Sequence, residues 1–253
     1  MRNLKVLSFF LLLCSACNSE YTFYDLAFGG SDNNKVIGRF NDQIEEGNFE
    51  FFIQNDLVKK GKYVVGQKIG LWDYFIGPDN YRIEWMAFNS NEDSLSVSLP
   101  GFWEYKDVDE ALFLADVTPD KREDRKKFFL IQKHSDTSPV LNLDEVAGSF
   151  YSVTSKTFVI KKSVIYKVIV GGHSYYYFDL RATFEDEEFL IFTLLTERNN
   201  DFYELSLIHD SLRARIKEII FFDIVYNTFI GGERVISPYQ KPTLQKVNFS
   251  SAQ

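Results

Sequence analysis

The stretch GRFNDQIEEGNFEFFI (residues 38–53) recurs as GKYVVGQKIGLWDYFI (residues 61–76), and this internal repeat decides the fold of the N-terminal half. Aligned position by position, Gly47 matches Gly70 and Phe49 matches Trp72. Each copy predicts two short strands joined at a turn, with glycines where the backbone needs a positive φ angle. Because one copy cannot bury its own aromatic face, the copies must stack on each other. The repeat therefore predicts a β-meander.

The second copy, with Gly61-Lys62 and Gly70-Leu71-Trp72, resembles the MORN-type repeats that bacterial proteins labelled as antitoxin components contain. The resemblance implies a MORN-like β-meander over residues 36–90. It also suggests one candidate function, that of an envelope immunity or antitoxin-like protein.

A second unit is predicted over residues 94–236, where the pattern changes from the repeat to strands and two helices. Asn142 followed by Glu145 has the form of a capping box, and the apolar stripe behind it predicts a helix that ends near Ser155. Four antiparallel strands are predicted next, in the segments 158–170, 175–184, 189–197 and 202–208. In residues 189–195 both faces are apolar, as in a central strand covered on each side.

The last element of this unit is predicted to be a long helix that packs on the core. It begins with Asp210 or Ser211 as N-cap, continues to Phe229 with apolar residues at spacings of three and four, and stops at Gly231-Gly232. Beyond it, residues 237–253 show no periodicity and are predicted to be a frayed tail.

This order of elements resembles the PsbP-like fold. The resemblance rests on Ser98-Leu99-Pro100 with Trp103, on Leu143-Asp144-Glu145 at the start of a helix, on the run of antiparallel strands and on the closing helix. It implies an α+β fold class, in which a short N-terminal meander precedes an antiparallel sheet flanked by two helices, an α/β/α sandwich. Members of that fold are mostly non-catalytic assembly, lipoprotein or extrinsic subunits, so the resemblance implies that the chain is not an enzyme.

The first residues, MRNLKVLSFFLLLCSAC, have the layout of a secretory signal peptide, with a basic start at Arg2 and Lys5 and an apolar run at residues 6–13. The ending Cys14-Ser15-Ala16-Cys17 resembles the lipobox of bacterial lipoproteins, which implies cleavage after residue 16 and acylation of Cys17. We therefore expect residues 17–35 to be a lipidated tether that holds the protein at the cell envelope, with the outer membrane favoured. An ordinary cleaved signal peptide or a buried apolar N-terminus is the alternative.

Composition narrows the classes of partner and cofactor. The formal net charge is −8, so attraction to nucleic acid or to anionic lipid is not expected. Cys14 and Cys17 are the two cysteines of the sequence, and on this interpretation one is removed and the other acylated. No disulfide and no thiolate metal site is then expected in the folded part, and we predict no cofactor and no metal.

Polar motifs that suggest catalysis have simpler interpretations. Adjacent residues such as His209-Asp210-Ser211 cannot form a triad, because the histidine must bridge the other two through opposite ring nitrogens. His134 and His173 lack metal-ligand spacing. The acidic run 185–188 is predicted to be a hairpin turn, and the mixed-charge run 121–127 an exposed loop.

Aromatic residues remain as candidate binding residues. Alternation in the strand 175–184 separates an apolar set, predicted to face the core, from Tyr175 and Tyr177, which with Trp85 form a predicted surface for a partner protein. The alternative for the two tyrosines is that they lie under a helix. The apolar set is Tyr176, Phe178, Leu180 and Ala182.

Three functions follow in order of preference. The first is a non-catalytic, lipid-anchored envelope protein that acts as an interaction or assembly module for an unknown envelope protein. The second is a secreted glycan-binding protein or hydrolase that uses Trp72, Trp85 and Trp103 with Asp73 and Glu84. The third is the immunity or antitoxin-like role.

Substitution of the predicted lipidation site tests the anchor. We expect Cys17→Ser to abolish acylation and to leave either uncleaved precursor or a soluble periplasmic form, because no other residue can form the thioether. Detergent partitioning and intact mass measure this. Acyl chains on the substituted protein, or a wild-type mature protein that begins elsewhere, would contradict the prediction.

Overall fold

The computed structural model describes residues 18–90, 95–106, 113–117, 127–134 and 142–249. The predicted signal peptide, the lipidation site Cys17 and most of the charged run 121–127 lie outside these residues. Within them, the chain forms two large antiparallel sheets and two α-helices.

Sheet A contains nine strands in the order β1-β2-β3-β4-β5-β6-β7-β15-β16. Strands β2 to β6 correspond to the meander predicted over residues 36–90, whereas β1, β7 and two short strands from the C-terminal part of the chain extend the sheet beyond it. The strands are β1 Ser19–Thr22, β2 Asn34–Asn41, β3 Ile44–Ile53, β4 Asp56–Val64, β5 Gln67–Ile76, β6 Asp79–Ser90, β7 Leu95–Pro100, β15 Thr228–Ile230 and β16 Glu233–Arg234.

Sheet B contains eight strands in the order β17-β11-β12-β13-β14-β10-β9-β8. Its centre is the four-strand meander predicted between residues 158 and 208, which is confirmed. The strands are β8 Glu104–Lys106, β9 Phe113–Asp116, β10 Phe128–His134, β11 Val159–Val170, β12 His173–Phe184, β13 Glu187–Arg198, β14 Asp201–Asp210 and β17 Thr243–Val247.

The two helices lie on opposite faces of sheet B. Helix α1, Leu143–Thr157, packs on the outer face through Leu143, Ala147 and Tyr151. Helix α2, Ala214–Tyr226, lies in the main core between the inner face of sheet B and sheet A. A short 3-10 helix, Leu26–Phe28, also contacts α2.

The predicted fold class is wrong in two respects. The N-terminal meander is not a short appendage but a curled half-barrel sheet, and the chain is mostly antiparallel strand rather than an α/β/α sandwich. The second helix does not cover an outer face, because nine of its thirteen residues are buried and it fills the concave side of sheet A. The predicted boundary near residue 94 lies between β6 and β7, which are neighbours in sheet A.

Two equivalent glycines show why the repeat has its spacing. Gly38 and Gly61 each lie at a β-bulge, and a Cβ atom at either position would overlap the aromatic ring on the next strand, Phe49 or Trp72. Glycine is therefore required wherever the ring of the following strand crosses the backbone. The two copies are structurally equivalent, whereas their assignment as MORN repeats stays a prediction.

The first helix begins as predicted and the second does not. Asn142 and Glu145 form the capping box, with both side-chain to backbone hydrogen bonds at 3.0 Å, although α1 ends at Thr157 rather than near Ser155. Helix α2 begins only at Ala214, after Arg213 with a φ of 53°. The predicted N-cap is wrong because Asp210 still belongs to β14 and its carboxylate binds Lys217.

Helix α2 also ends earlier than predicted. It stops at Tyr226, and Thr228–Ile230 pairs with β7 as strand β15. The apolar residue Phe229 thus belongs to a strand, because a free edge of sheet A is available to it in space.

The described residues of the predicted tether and of the predicted frayed tail pair with the sheets and contribute to the core. Phe23 is fully buried and Asp25 is nearly so, while β1 pairs with β2 over residues 19–22. At the other end β17 pairs with β11, and Phe249 stacks on Phe178 under α1. Long-range pairing therefore orders two segments that lack any local pattern.

Strand β13 confirms the prediction of a strand covered on both faces. Leu190, Phe192 and Leu194 lie in the core between the sheets, whereas Ile191 and Leu195 lie on the side of α1. In the described part of the chain, no helix is both long and apolar enough to cross a membrane.

Two equivalent glycines with positive φ angles, Gly47 in β3 and Gly70 in β5, provide a stability test. Gly47 and Gly70 have φ angles of 88° and 64°, and a Cβ atom at either position would meet no atom within 4 Å, so backbone strain alone opposes substitution. We expect Gly47→Val and Gly70→Val each to lower the free energy of unfolding by about 1–3 kcal/mol.

Chemical denaturation measures both variants, and Gly148→Ala is the matched control. Gly148 lies inside α1, and a methyl group there meets no atom closer than 3.8 Å, so the control should be neutral or stabilising. Unequal effects of the two valine substitutions would contradict the equivalence of the copies.

Candidate functional site

The predicted partner surface at Tyr175 and Tyr177 is buried. Their side chains are 2% and 6% exposed, and both face the inner core of sheet B. The Tyr175 hydroxyl donates to the carbonyl of Val235 at 2.9 Å, and the Tyr177 ring lies 4.8 Å from that of Phe222 on α2. Tyr177 lies under α2, as the alternative interpretation has it, and both tyrosines are buried in the core rather than exposed to a partner. The predicted alternation of side chains between the two faces of this strand is confirmed, because the apolar set packs on the α1 side. That set is Tyr176, Phe178, Leu180 and Ala182.

The tryptophans do not form a sugar-binding platform. Trp72 and Trp85 are 0% and 1% exposed, so neither ring is available for stacking, and Trp103 is half-buried against Phe129. Asp73 lies on the opposite face of its strand, where Arg82 binds it at 2.7 Å. The rings point inward and the carboxylates outward, so the predicted set is not assembled into one site.

The His209-Asp210-Ser211 run is held by structural contacts. Asp210 binds Lys217, and the hydroxyl of Ser211 donates to Glu188 at 3.0 Å. Burial and then the charge of Lys217 lower the pKa of His209 to about 4. No group of three or more histidine, cysteine or acidic side chains within the described residues is arranged to hold a metal.

The largest concentration of buried charge lies inside sheet A, at the middle of α2. Asp223, the single acid in the apolar run of this helix, accepts hydrogen bonds from Lys59 at 2.6 Å, from Lys68 and from the Tyr74 hydroxyl at 2.7 Å. Lys59 also binds Asp25 at 2.7 Å. These five residues, called here the ionic cluster, are all buried.

The two lysines of the ionic cluster differ in electrostatic environment. Burial alone lowers the pKa of each, but Asp223 and Asp25 together outweigh it at Lys59, whose pKa is raised. At Lys68, burial lowers the pKa, the Asp223 carboxylate that it shares with Lys59 raises it only in part, and the charge of Lys59 lowers it further. The pKa of Lys68 therefore falls to about 7. The ammonium of Lys68 lies between aromatic rings, 3.8 Å from the centre of the Trp72 ring and 4.6 Å from that of Trp85.

A second buried ionic contact closes the open side of sheet A. Glu45 on β3 binds Arg234 on β16 and accepts a hydrogen bond from the Tyr239 hydroxyl at 2.8 Å. Arg234 also donates to the carbonyl of Tyr226 at 2.9 Å, at the end of α2. Both sets of charges connect segments that are distant in sequence, and the carboxylates of Asp25, Glu45 and Asp223 are buried.

An open cleft lies on the other side of sheet B, between α1 and strands β10 and β14. Its volume is about 550 Å³. The floor and the helix wall are mainly apolar, and the exposed Val153 lies on the helix rim. The apolar lining consists of Phe128, Leu130, Val146, Phe150, Val153, Phe158, Ile191, Leu195, Phe202 and Ile208.

Three polar residues of the cleft, His134, Glu204 and Ser206, belong to one hydrogen-bonded chain. The Glu204 carboxylate lies 3.1 Å from His134 Nε2 and accepts a hydrogen bond from the Ser206 hydroxyl at 2.6 Å. Ser206 in turn lies 2.7 Å from the Thr193 hydroxyl. Because the carboxylate, not the histidine, occupies the middle of this chain, the serine has no adjacent imidazole base.

Sequence reasoning missed both the ionic cluster and the cleft, although signals for the cluster existed. Lys68 is separated from Trp72 and Tyr74 by even numbers of residues along β5, and side chains at such spacings point to the same face of a strand. The spacing therefore places Lys68 on the buried face. Asp223 interrupts an otherwise apolar helix face, which indicates a paired buried charge. The cleft had no such signal, because its walls come from separate segments.

Comparison with known proteins yields structural likeness only. No family model matches the chain, and no curated protein matches it. Among solved structures it is similar to cyanobacterial PsbP (CyanoP) from Synechocystis sp. PCC 6803, with 12% identity, a TM-score of 0.41 and coverage of 58% of this chain and 92% of that one. It is also similar to PA94, a protein of unknown function from Pseudomonas aeruginosa, with 14% identity, a TM-score of 0.32 and coverage of 59% and 90%.

A PsbP structure is thus among those that this chain resembles, in agreement with the coarse resemblance predicted for the second unit. Both TM-scores are below 0.5, so neither likeness identifies a site or an activity here.

The depressed pKa of Lys68 predicts an unusual pH dependence of stability. Above about pH 7 the folded protein releases a proton that the unfolded chain keeps up to about 10.4, so the free energy of unfolding should rise with pH in this range. The contribution of one group is at most about 1.4 kcal/mol per pH unit.

Denaturant unfolding from pH 7 to about 9.5, below tyrosine ionisation in the unfolded chain, measures this rise. We expect Lys68→Met, which keeps Lys59 as the partner of Asp223, to remove it. An equal rise in wild type and Lys68→Met would show that Lys68 is not its source.

Proposed function

We propose that this protein is a non-catalytic, lipid-anchored binding protein of the bacterial cell envelope, and that the cleft between α1 and strands β10 and β14 is its binding site. The observation that carries the proposal is the cleft itself. It is concave, mainly apolar and about 550 Å³ in volume, which lies within the range of ligand-binding sites.

The polar chain in the cleft supports binding rather than catalysis. Nucleophilic catalysis needs a hydroxyl or thiol beside a general base that a third group orients. Here the Ser206 hydroxyl is nearly buried and hydrogen bonded to Glu204 and Thr193, with His134 on the far side of the carboxylate. A few convergent polar groups on an apolar wall suit the orientation of a bound molecule.

The anchor is proposed from the sequence. Strand β1 begins at Ser19, two residues after Cys17, and two residues of extended chain span at most about 7 Å. Acylation of Cys17 would therefore hold the edge of sheet A close to the membrane surface, without the intervening tether that the sequence suggested.

The other candidate functions have less support. A glycan-binding protein or hydrolase built on the tryptophans is disfavoured by the burial of Trp72 and Trp85. The immunity or antitoxin-like role rests on the repeat resemblance alone. An interaction module for an envelope protein stays a prediction, and its contact surface would have to differ from Tyr175, Tyr177 and Trp85.

A charge placed on the rim of the cleft tests the proposal. Val153 is 63% exposed, so Val153→Glu should leave the melting temperature nearly unchanged while adding a carboxylate to an apolar wall. We expect the affinity for Nile red, a neutral apolar dye, to fall at least about fivefold, because the dye would have to displace a solvated charge.

Met86→Glu is the matched control, since Met86 is similarly exposed but lies on sheet A, away from the cleft. Dye fluorescence titration measures both variants. Equal dye binding by wild type and both variants, or no binding by the folded wild type, would contradict the proposed site.

A further inference from the structure

The cleft is chemically graded along its length. Strands β10 and β14 pair in register, and the facing pairs along the floor change from two apolar residues to pairs that carry polar side chains. At one end Phe128 faces Ile208. Further along, Gln132 faces Glu204, and next to that pair His134 faces Phe202. A ligand that satisfies both ends must itself have an apolar body and a polar head.

The charge at the polar end has one sign. Among the described residues that line the cleft, Glu204 is the sole carboxylate, and none is lysine or arginine. The Glu204 side chain is 12% exposed, so it is largely removed from water and yet still borders the cleft. His134 and Ser206 are its hydrogen-bond partners, and neither is a permanent cation.

We propose that the cleft binds a small amphipathic molecule with an apolar body and a cationic, hydrogen-bond-donating head group, an alkyl amine in its simplest form. This rests on the proposed function and adds the chemical class of the ligand. The head group pairs with the Glu204 carboxylate, and the body lies on the apolar floor under Val153 and Phe150.

Electrostatics favours the cationic head over the alternatives. In a cleft of low dielectric an ammonium beside a partly desolvated carboxylate makes a charge-assisted hydrogen bond, which is about twice as strong as a neutral one. An anionic head would face the like charge of Glu204. A neutral head would gain the apolar contact but only an ordinary hydrogen bond.

Three amphiphiles that differ only in the head group test this inference. Decylamine, decanol and decanoate, each below its micelle concentration, compete with Nile red for the full-length protein at pH 7 and low salt. We expect decylamine to bind about tenfold more tightly than decanol, and decanoate to bind most weakly.

Two variants assign the preference to Glu204. Glu204→Gln should reduce the preference for the amine over the alcohol to less than about threefold, while Glu50→Gln, on the exposed side of sheet A, should leave it unchanged. Gln132→Lys places a cation opposite Glu204, and it should likewise reduce the preference for the amine to less than about threefold, because the lysine charge offsets that of the carboxylate. This second variant keeps the test valid should Glu204→Gln unfold.

The outcomes separate the two proposals. Equal binding of the three head groups, or an amine preference that survives both variants, would overturn the assignment of the ligand class and leave the cleft as a binding site. Failure of the folded wild type to bind the dye and all three amphiphiles would overturn both.

Discussion

The contact on which the rest of the structure depends is the salt bridge of Asp223 with Lys59 and Lys68. A charge taken out of water is unfavourable by several kcal/mol unless a partner meets it at hydrogen-bonding distance. Asp223 therefore fixes both the rotation and the height of α2 inside sheet A, because one turn of misplacement would separate Asp223 and Lys68 from their ionic partners and leave Lys59 with Asp25 alone. Asp25 extends the same constraint to the segment before β2.

Such a cluster specifies an arrangement more than it adds stability. Replacing a buried ion pair by apolar side chains is often neutral, whereas removing one partner typically lowers stability by about 3–5 kcal/mol. The aromatic rings of sheet A, from Phe49 to Trp85, supply the apolar burial but could pack against a helix in several rotations. The carboxylate of Asp223 and the two ammonium groups select one of them. We regard this as a hypothesis about specificity that suits the chemistry of the cluster.

The position of α2 also accounts for the cleft. Because α2 lies between the two sheets, α1 is the helix that covers the outer face of sheet B in the described part of the chain. Helix α1 packs against β11, β12 and β13. The outer residues of β14 and β10 are left beside the helix instead of under it. The groove that results is open and mainly apolar, with one carboxylate at its polar end. The ionic cluster is the richer collection of titratable groups, but it is sealed, whereas the cleft is open to solvent.

Local pattern determined a good deal from the sequence alone. The repeat predicted the meander and its glycine positions, alternation separated the two faces of β12, and the capping box located the start of α1. These features depend on residues within a few positions of each other along the chain. By contrast, only the tertiary structure decided that Tyr175 and Tyr177 are buried in the core, that residues 228–230 leave the helix pattern to pair with β7, and that Asp25 belongs to the core. The cleft likewise arises from segments that are far apart in sequence. The physical reason is that sheet edges, buried charges and helix positions are satisfied by partners in space, and a period read along the chain carries no information about which distant partner each will find.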